Sequence, residues 1–248
     1  MRLQNKVAVI TGASSGIGAK TAEIFAAEGA RVVLVARRKD RLEQVAADIR
    51  TKNGETKVIQ ADLTVEDECK RVIKETMAEF GQLDILVNNA GIADKHRPIT
   101  NCSTEWWNQV ILVDQTSLFY ITKAALEHMT KGSIVNISSI GGVFGSAGIS
   151  YSAAKSAVIG MTKNIAIQYA GKGIRCNAVC PGPTPTELNT PEKLATFDSF
   201  ARQCAKHMNM SLPETTTDQQ AKAILFFASD DASGVTGQIM VVDNGITL

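Results

Sequence analysis

The sequence predicts an α/β fold in which helices cover both faces of one doubly wound parallel sheet of about seven strands. Three observations predict it. Short runs rich in valine and isoleucine alternate with longer helical patterns throughout the chain, no linker is long enough to divide domains, and a glycine-rich turn joins the first strand to the first helix. We therefore expect residues 1–248 to form a single domain.

The first half of the chain alternates four strands with three helices. The strand segments are apolar and rich in β-branched residues, as is typical of strands buried on both faces; they are predicted at 6–11, 31–36, 57–62 and 83–91. The spacing of apolar residues predicts helices at 16–28, 39–54 and 65–80. Gly29 is expected to cap the first helix, and the pair Asn53–Gly54 to end the second.

The second half repeats this alternation. We predict helices near 104–129, 150–170 and 218–228, and strands at 132–138, 174–182 and 238–243. A glycine-rich loop, 141–148, precedes the second of these helices. Residues 183–215 are rich in Pro, Thr and Asn, which predicts a mobile flap with short helices over the substrate.

Composition narrows the range of functions. The net charge is +1 and the basic residues are scattered, so nothing indicates a nucleic-acid partner. The five cysteines follow no pattern of disulfides or metal ligands, and we expect free buried thiols and no metal. The N-terminus lacks the apolar length of a signal peptide and no apolar run reaches about 18 residues, so we expect no membrane span and a cytoplasmic protein.

The turn TGASSGIG (11–18) has the spacing G-x-x-x-G-x-G. Its first glycine permits a tight turn out of the strand, and the other two allow a pyrophosphate and the neighbouring strand to approach the backbone. Free N–H groups at the helix start attract the anion. The turn therefore predicts a Rossmann-type dinucleotide site. Its expected binding residues are Gly12, Ser14, Ser15, Gly16, Ile17 and Gly18.

The end of the second predicted strand selects the cofactor. An acidic residue there would bind the ribose hydroxyls and favour NAD(H), but the chain has Ala36-Arg37-Arg38. A guanidinium can hold a 2′-phosphate through two hydrogen bonds. We therefore predict NADP(H), with NAD(H) less favoured, and expect Arg37 to be the main phosphate contact and Arg38 to assist. The alternative is that both arginines are simply solvated at a helix start.

The stretch SYSAAKSAVIGM (150–161) places Tyr151 and Lys155 four residues apart. On a helix such a pair shares one face. Taken alone it is an ordinary amphipathic turn, in which the tyrosine packs its ring and exposes its hydroxyl. A catalytic interpretation depends on the rest of the chain.

Five motifs in order supply that support. The glycine turn is followed by NNAG (88–91), NISS (136–139), the tyrosine–lysine pair, and Pro181-Gly182 with Thr186 downstream. With this set the chain resembles the short-chain dehydrogenase/reductase family over essentially its whole length. Each motif alone is weak evidence for the family, but the order and spacing of all five are specific to it. The resemblance implies an oxidoreductase, and the arginines after the second strand predict NADP(H) as its cofactor.

The resemblance makes Tyr151 the catalytic acid/base and Lys155 its partner, which also holds the nicotinamide ribose. A free tyrosine titrates near ~10, and a neighbouring ammonium together with an oxidised nicotinamide favours tyrosinate. The family serine that hydrogen-bonds the substrate oxygen corresponds to Ser139 if the glycine loop is one residue short, and otherwise to Ser138. We prefer Ser139, but both stay open because adjacent strand residues cannot both face the site.

Asp114 is the one clear departure from the family pattern. The family usually has Asn here, which helps to hold a water that links the lysine to solvent. An ionised Asp accepts hydrogen bonds but cannot donate one. Three interpretations stay open: Asp114 pairs with Lys155, it modifies the proton relay and so shifts the pH optimum, or the substitution is neutral drift. We count Asp114 with the catalytic residues.

Further cofactor contacts follow from the resemblance. Asp62 and Leu63 are expected at the adenine. The residues expected along the ribose are Asn88, Ala90 and Gly91, and those at the carboxamide and phosphates are Pro181, Gly182, Thr184 and Thr186. Tyr151 and Lys155 are expected to contact the cofactor as well.

The expected reaction interconverts a secondary alcohol and a ketone by hydride transfer with NADP(H). The flap residues Leu188, Leu194, Phe197, Phe200, Met208 and Met210 are apolar. If they face the pocket rather than pack on the domain, they favour a bulky apolar substrate such as a hydroxysteroid. A 3-oxoacyl-(acyl-carrier-protein) thioester is the alternative substrate. A non-catalytic NADP(H) sensor or scaffold is the alternative of another class.

The expected partners are a small-molecule substrate and further copies of the chain. Family members commonly assemble through the helices predicted here at 104–129 and 150–170. We therefore expect a homo-oligomer, either a tetramer or a dimer.

Overall fold

The strands lie side by side in one parallel sheet. The computed structural model describes residues 1–93, 95–187 and 190–248. Its strands are β1 (Val7–Thr11), β2 (Arg31–Ala36), β3 (Glu55–Gln60), β4 (Ile85–Asn88), β5 (Gly132–Ile137), β6 (Ile174–Pro181) and β7 (Ile239–Val242). Their order across the sheet is β3-β2-β1-β4-β5-β6-β7, and every neighbouring pair is parallel. The predicted seven-stranded sheet is confirmed.

The direction of winding reverses between β1 and β4. The chain proceeds outward from β1 through β2 to β3, returns to β4 on the other side of β1, and then proceeds outward to β7. The loops that follow β1 and β4 therefore lead away in opposite directions. A crevice opens between them at the carboxyl edge of the sheet, which is where sheets of this kind bind their ligands.

Helices cover both faces of the sheet. They are α1 (Gly16–Ala27), α2 (Lys39–Arg50), α3 (Glu66–Phe80), α4 (Thr104–Ile111), α5 (Ser117–Leu126), α6 (Ile140–Phe144), α7 (Ile149–Gln168), α8 (Pro191–Leu194), α9 (Phe200–Ala205) and α10 (Thr217–Ala228). In β1, Ala8 and Ile10 join the core formed with α1, α2 and α10, whereas Val7 and Val9 join the core formed with α3, α5 and α7. This alternation follows from the two-residue period of a strand.

Three local features differ from the sequence expectation and bear on the site. The helix predicted at 104–129 is two helices, α4 and α5, joined by a π-helical turn, Leu112–Thr116. The loop predicted at 141–148 begins with the short helix α6. Strand β3 starts and ends two residues earlier than predicted, which leaves Asp62 beyond the strand. Apolar periodicity does not detect a π-turn, because one extra residue per turn barely changes the pattern.

Among the described residues no helix has both the length and the apolar character needed to cross a membrane.

Candidate active site

The turn between β1 and α1 is shaped by close contacts that exclude side chains. Gly12 has φ +65°, and a methyl group there would lie 2.8 Å from Nδ2 of Asn89. At Gly18 a methyl group would lie 2.4 Å from the carbonyl oxygen of Gly12. The backbone therefore approaches the end of β4 closely, at a helix start whose N–H groups favour an anion.

A cleft of about 400 Å³ lies over this turn. Its walls come from the turn itself, the ends of β2 and β3, the NNAG segment and the start of the flap. The predicted cofactor residues that line it are Gly12, Ser14, Ser15, Gly16, Ile17, Arg37, Arg38, Asp62, Leu63, Ala90, Gly91 and Thr186. The structure thus brings most of the predicted set together at the point where the sheet reverses its winding.

Two arginines reach this cleft from the end of β2. Arg37 is exposed to solvent. Arg38 donates through Nη2 to Oγ of Ser14 at 3.1 Å and to Oγ of Ser15 at 3.0 Å. Through Nη1 it donates to Oε2 of Glu187 at 2.7 Å. The cations predicted to meet a phosphate are therefore beside the glycine turn.

Asp62 lies at the edge of the cleft between β3 and α3. Its Oδ1 accepts hydrogen bonds from N of Thr64 at 3.0 Å and from Oγ1 of Thr64 at 2.8 Å. Burial raises the pKa of Asp62, but the two bonds from Thr64 and the charge of Arg37 outweigh burial and lower the pKa overall. The side chain is thus a fixed carboxylate at neutral pH, able to accept a hydrogen bond from a base.

The two neighbouring asparagines after β4 have different surroundings. Asn88 is buried, and its amide donates to Oγ1 of Thr122 at 2.9 Å and to Oδ1 of Asn136 at 2.8 Å. Asn89 lines the cleft and donates to the carbonyl oxygen of Thr11 at 3.0 Å. The side chain of Asn88 therefore supports the sheet instead of lining the ribose site as expected. Asn89 takes the exposed position because consecutive residues face opposite sides.

A second cavity, of about 580 Å³, shares part of its wall with the first. Ser139, Tyr151 and Lys155 all line it. Gly141 lies between two of them, since a methyl group there would be 3.4 Å from Oγ of Ser139 and 3.5 Å from Cδ1 of Tyr151. The remaining predicted cofactor residues Pro181, Gly182 and Thr184 line the same cavity.

The two candidate serines border this cavity but use their hydroxyls differently. Oγ of Ser138 donates to the carbonyl oxygen of Lys155 at 2.7 Å, and the residue is 2% exposed. Oγ of Ser139 accepts from N of Gly141 at 3.0 Å, which caps α6. Of the two hydroxyls, that of Ser139 keeps its proton available for a substrate oxygen.

Lys155 is buried on α7, on the same face as Tyr151. Its Nζ donates to the carbonyl oxygen of Ile137 at 3.2 Å and lies 5.4 Å from the centre of the Tyr151 ring. Helix α6 packs directly on this part of α7, because a methyl group at Gly142 would lie 2.6 Å from the carbonyl carbon of Lys155. Lys155 is therefore held in place by its hydrogen bond to Ile137 and by the packing of α6 on α7.

Asp114 lies in the π-helical turn and is 1% exposed. Its Oδ1 accepts a hydrogen bond from N of Ile92 at 2.7 Å. A methyl group at Gly91 would lie 3.1 Å from that oxygen and 3.2 Å from Nζ of Lys155. The departure from the family pattern thus places a carboxyl group and an ammonium around the same glycine. π-Turns of this kind occur frequently at functional sites.

The comparisons with known proteins agree with this geometry. A family model described as enoyl-(acyl carrier protein) reductase matches residues 12–247. The 3-oxoacyl-(acyl-carrier-protein) reductase FabG of Thermotoga maritima is 38% identical, with 100% of each chain covered. The chain belongs to the short-chain dehydrogenase/reductase family. The predicted resemblance is confirmed.

Other members of the short-chain dehydrogenase/reductase family are similarly close. The cis-4-hydroxycyclohexanecarboxylate dehydrogenase of Sinomonas cyclohexanicum is 41% identical over 98% of this chain and 96% of its own. The 7alpha-hydroxysteroid dehydrogenase of Bacteroides fragilis is 36% identical over 100% and 96%. The crystal structure of levodione reductase superimposes with a TM-score of 0.92 at 31% identity, covering 99% of each chain.

As a short-chain dehydrogenase/reductase the chain is an oxidoreductase that uses a nicotinamide cofactor. The shape and the charge of the cleft also fit such a cofactor. Methyl groups at Gly12 or Gly18 would collide with backbone or with Asn89, so the turn keeps open an approach that side chains would block. Cationic side chains line the cleft, and the cavity that contains Tyr151 shares part of its wall with it.

The described residues of the predicted flap, 183–187 and 190–215, supply part of the wall of the second cavity. Its two ends are tied together, since the hydroxyls of Thr184 and Thr215 lie 2.7 Å apart. The flap residues that line the cavity include Leu194, Phe197, Met208 and Met210. Phe200 is not among the lining residues, and Leu188 lies outside the described residues.

Three residues at the site were not singled out from the sequence. Asn89 fixes the glycine turn and could have been found within the NNAG motif. The ring of His96 stacks on Phe197 at 4.6 Å over the second cavity. Glu187 contacts Arg38, which is 149 residues away in the chain, so local sequence gives no signal of that contact.

Proposed function

We propose that the chain interconverts a secondary alcohol and a ketone with NADP(H), using Ser139, Tyr151 and Lys155. The observation that carries this proposal is the convergence of these three side chains on one cavity that adjoins the glycine-turn cleft. The whole chain, 1–248, acts as one dinucleotide-binding and catalytic domain, with 183–215 as its substrate flap.

The residues of the cavity have distinct tasks. When bound, the nicotinamide supplies the hydride to the carbonyl carbon or accepts it from the alcohol. The Tyr151 hydroxyl gives its proton to the substrate oxygen in reduction and takes it back in oxidation. Ser139 donates a hydrogen bond to the same oxygen and stabilises the charge that develops there. The Lys155 ammonium, 5.4 Å from the tyrosine ring, favours the anionic form of the tyrosine.

The cofactor is held along the first cleft. The backbone of the glycine turn binds the pyrophosphate, and Ser14 and Ser15 act together with Arg38. Asp62 and Leu63 enclose the adenine, and Lys155 holds the nicotinamide ribose. Arg37 is the main contact of the 2′-phosphate, because it is an exposed cation on the wall of the cleft and forms no salt bridge within the described residues, and Arg38 assists it. NADP(H) is therefore the proposed cofactor.

Reversal of the charge at Arg37 tests the assignment of NADP(H) as the cofactor. Arg37→Asp is expected to weaken NADPH binding at least tenfold more than NADH binding, since an aspartate repels the 2′-phosphate and accepts hydrogen bonds from ribose hydroxyls. Lys39→Asp, an exposed charge reversal outside the cleft lining, is the matched control. An equal loss for both cofactors in Arg37→Asp would overturn the assignment.

The substrate is proposed to be bulky and apolar, such as a hydroxysteroid. The cavity volume of about 580 Å³ is within the range of pockets that enclose drug-sized ligands. Its flap side is formed by leucine, phenylalanine and methionine side chains. The hydroxysteroid dehydrogenase relative supports this class. The second candidate is a 3-oxoacyl thioester, which the FabG relative supports.

A carbonyl panel separates these candidates. Purified protein is incubated with NADPH or NADH and with steroid ketones, acetoacetyl thioesters, small diketones and cyclohexanone carboxylates, and oxidation of the cofactor is followed by absorbance. The highest kcat/KM with a steroid ketone is expected. A preference of tenfold or more for the thioester would replace the steroid proposal with the acyl-thioester one.

We also propose a cytoplasmic homo-oligomer. Leu112, Phe119 and Ile167, in the segment from α4 to α5 and in α7, are 38%, 49% and 75% exposed, and exposed apolar side chains that form one patch mark interaction surfaces. Light scattering should give the mass of a dimer or tetramer, and a double variant Phe119→Ser/Ile167→Ser should lower it. The cytoplasm suits five cysteines that are all unpaired.

A further inference from the structure

Glu187, the first acidic residue of the flap, lies on the wall of the dinucleotide cleft. Its Oε2 is 2.7 Å from Nη1 of Arg38, and its Oε1 is 3.9 Å from Nη1 of Arg41. Its carbonyl oxygen accepts a hydrogen bond from Nζ of Lys193. A carboxylate from the flap is thus held by arginines from the opposite wall of the cleft.

The guanidinium of Arg38 joins this carboxylate to the glycine turn. Its Nη1 donates a hydrogen bond to Glu187, and its Nη2 donates to the hydroxyls of Ser14 and Ser15. The hydrogen bond from Arg38 lowers the pKa of Glu187, and further lowering by the hydrogen bond of Ser15 and the charge of Arg41 outweighs the opposing effect of burial. At neutral pH the cluster therefore holds an ionised carboxylate among two guanidinium groups and a hydroxyl.

These surroundings are the ones that a phosphate needs. A phosphate binds through the planar fork of a guanidinium and through hydroxyl donors. In this chain the fork of Arg38 already has an anion on one side. Any phosphate that uses Arg38 together with Ser15 must displace the carboxylate or bind beside it against like-charge repulsion.

We propose that Glu187 is an internal competitor for the 2′-phosphate and so sets how strongly the enzyme distinguishes NADP(H) from NAD(H). The proposal rests on the proposed cofactor site at Arg37 and Arg38. Glu187 weakens the binding of ligands with a 2′-phosphate. It does not weaken the binding of a ribose with a free 2′-hydroxyl, which carries no charge and does not need Arg38.

The expected size of the effect follows from exposure. The side chains of Arg38 and Glu187 are 47% and 40% exposed, so the ion pair is a surface pair of modest strength. Breaking a pair of this kind changes a binding constant about two- to fivefold. Salt screens both the pair and the repulsion, so the effect should shrink as ionic strength rises.

Titration calorimetry of Glu187→Gln and Glu187→Ala tests the proposal with four probes: NADPH, NADH, adenosine 2′,5′-bisphosphate and 5′-AMP. Both variants should bind NADPH and the bisphosphate about two- to fivefold more tightly than the parent does. The affinities for NADH and 5′-AMP should stay within error. Glu192→Gln is the matched control, because this carboxylate is exposed on α8 of the same flap and is not in the cleft lining. It should change none of the four.

Two results would overturn the proposal. Equal changes for the ligands with and without the 2′-phosphate would mean that Glu187 acts on the cleft as a whole. Weaker NADPH binding in both variants would mean that Glu187 supports Arg38 rather than competes for it.

Failure of the cofactor assignment gives a separate result. The parent protein would then bind NADH more tightly than NADPH. Glu187→Gln would still narrow or reverse that difference if the competition exists, and would leave it unchanged if it does not.

Discussion

At the scale of single residues, Ser138 and Ser139 show how adjacent hydroxyls acquire different roles. Ser139→Ala is expected to lower kcat about 10²–10³-fold, because it removes a donor to the charge that develops on the substrate oxygen. Ser138→Ala should keep kcat within about tenfold and lower the free energy of unfolding by about 1 kcal/mol, the contribution of one buried hydrogen bond. Steady-state kinetics and urea denaturation check both. Equal losses of kcat would contradict the assignment.

Asp114 allows a prediction about pH. Asp114→Asn keeps a hydrogen-bond acceptor for N of Ile92, so the fold should persist. The substitution removes the carboxylate that lies, with Nζ of Lys155, beside Gly91. Loss of that charge favours an anionic base, so the acidic limb of the pH–rate profile for alcohol oxidation should move to lower pH.

Kinetics of Asp114→Asn between pH 5 and about 10 measure this shift. Glu105→Gln, an exposed acidic residue on α4, is the control and should leave the profile in place. An unchanged profile in Asp114→Asn would mean that the aspartate is neutral drift.

At the scale of elements, the packing of α6 on α7 positions the catalytic helix. A methyl group at Gly142 would lie 2.6 Å from the carbonyl carbon of Lys155, so Gly142→Ala must move α6 and α7 apart. We expect kcat to fall about 10- to 100-fold, since displacements near 1 Å have effects of this size.

Gly160→Ala is the matched substitution within α7. Apart from its chain neighbours and the backbone of its own helix, a methyl group there meets no atom of the described residues within 4 Å. This variant should raise the free energy of unfolding by about 0.5–1 kcal/mol and keep kcat, because alanine restricts the unfolded chain and favours the helix. Thermal unfolding and kinetics compare the two. A normal kcat in Gly142→Ala would show that α6 does not position Lys155.

The elements also show what sequence can and cannot predict. Apolar periodicity and turn residues are local signals, and they predicted every strand and the parallel architecture. The π-turn containing Asp114 and the helix after Ser139 were missed, because each depends on one inserted residue or one cap. The contact of Glu187 with Arg38 depends on tertiary approach across 149 residues. The candidate catalytic residues were predicted because family motifs preserve their order, and their roles stay a proposal.

At the scale of the whole molecule, burial should protect most of the thiols. Burial raises the pKa of Cys69 and Cys176 to about 12 and that of Cys180 to about 11, so these three are protonated at pH 8. Cys204 is 3% exposed, and only Cys102 is partly accessible. Iodoacetamide should therefore modify one thiol in the native protein and five in guanidinium chloride, as counted by mass spectrometry. Rapid modification of two or more native thiols would contradict the packing.

The whole molecule also joins its two cavities into one reaction site. The reversal of winding between β1 and β4 opens the dinucleotide cleft, and α7 carries Tyr151 to the adjoining cavity. The central proposal is that function depends on the Tyr151 hydroxyl, which lines the cavity that adjoins the dinucleotide cleft.

Single-turnover oxidation of NADPH by Tyr151→Phe, with the best ketone of the panel, tests this claim most directly. Tyr169→Phe, at the C-terminal end of the same helix, is the control and should behave as the parent. The account predicts that Tyr151→Phe binds NADPH within about twofold of the parent but transfers hydride about 10²–10⁴-fold more slowly, because the proton donor is lost. A hydride-transfer rate within tenfold of the parent would contradict it.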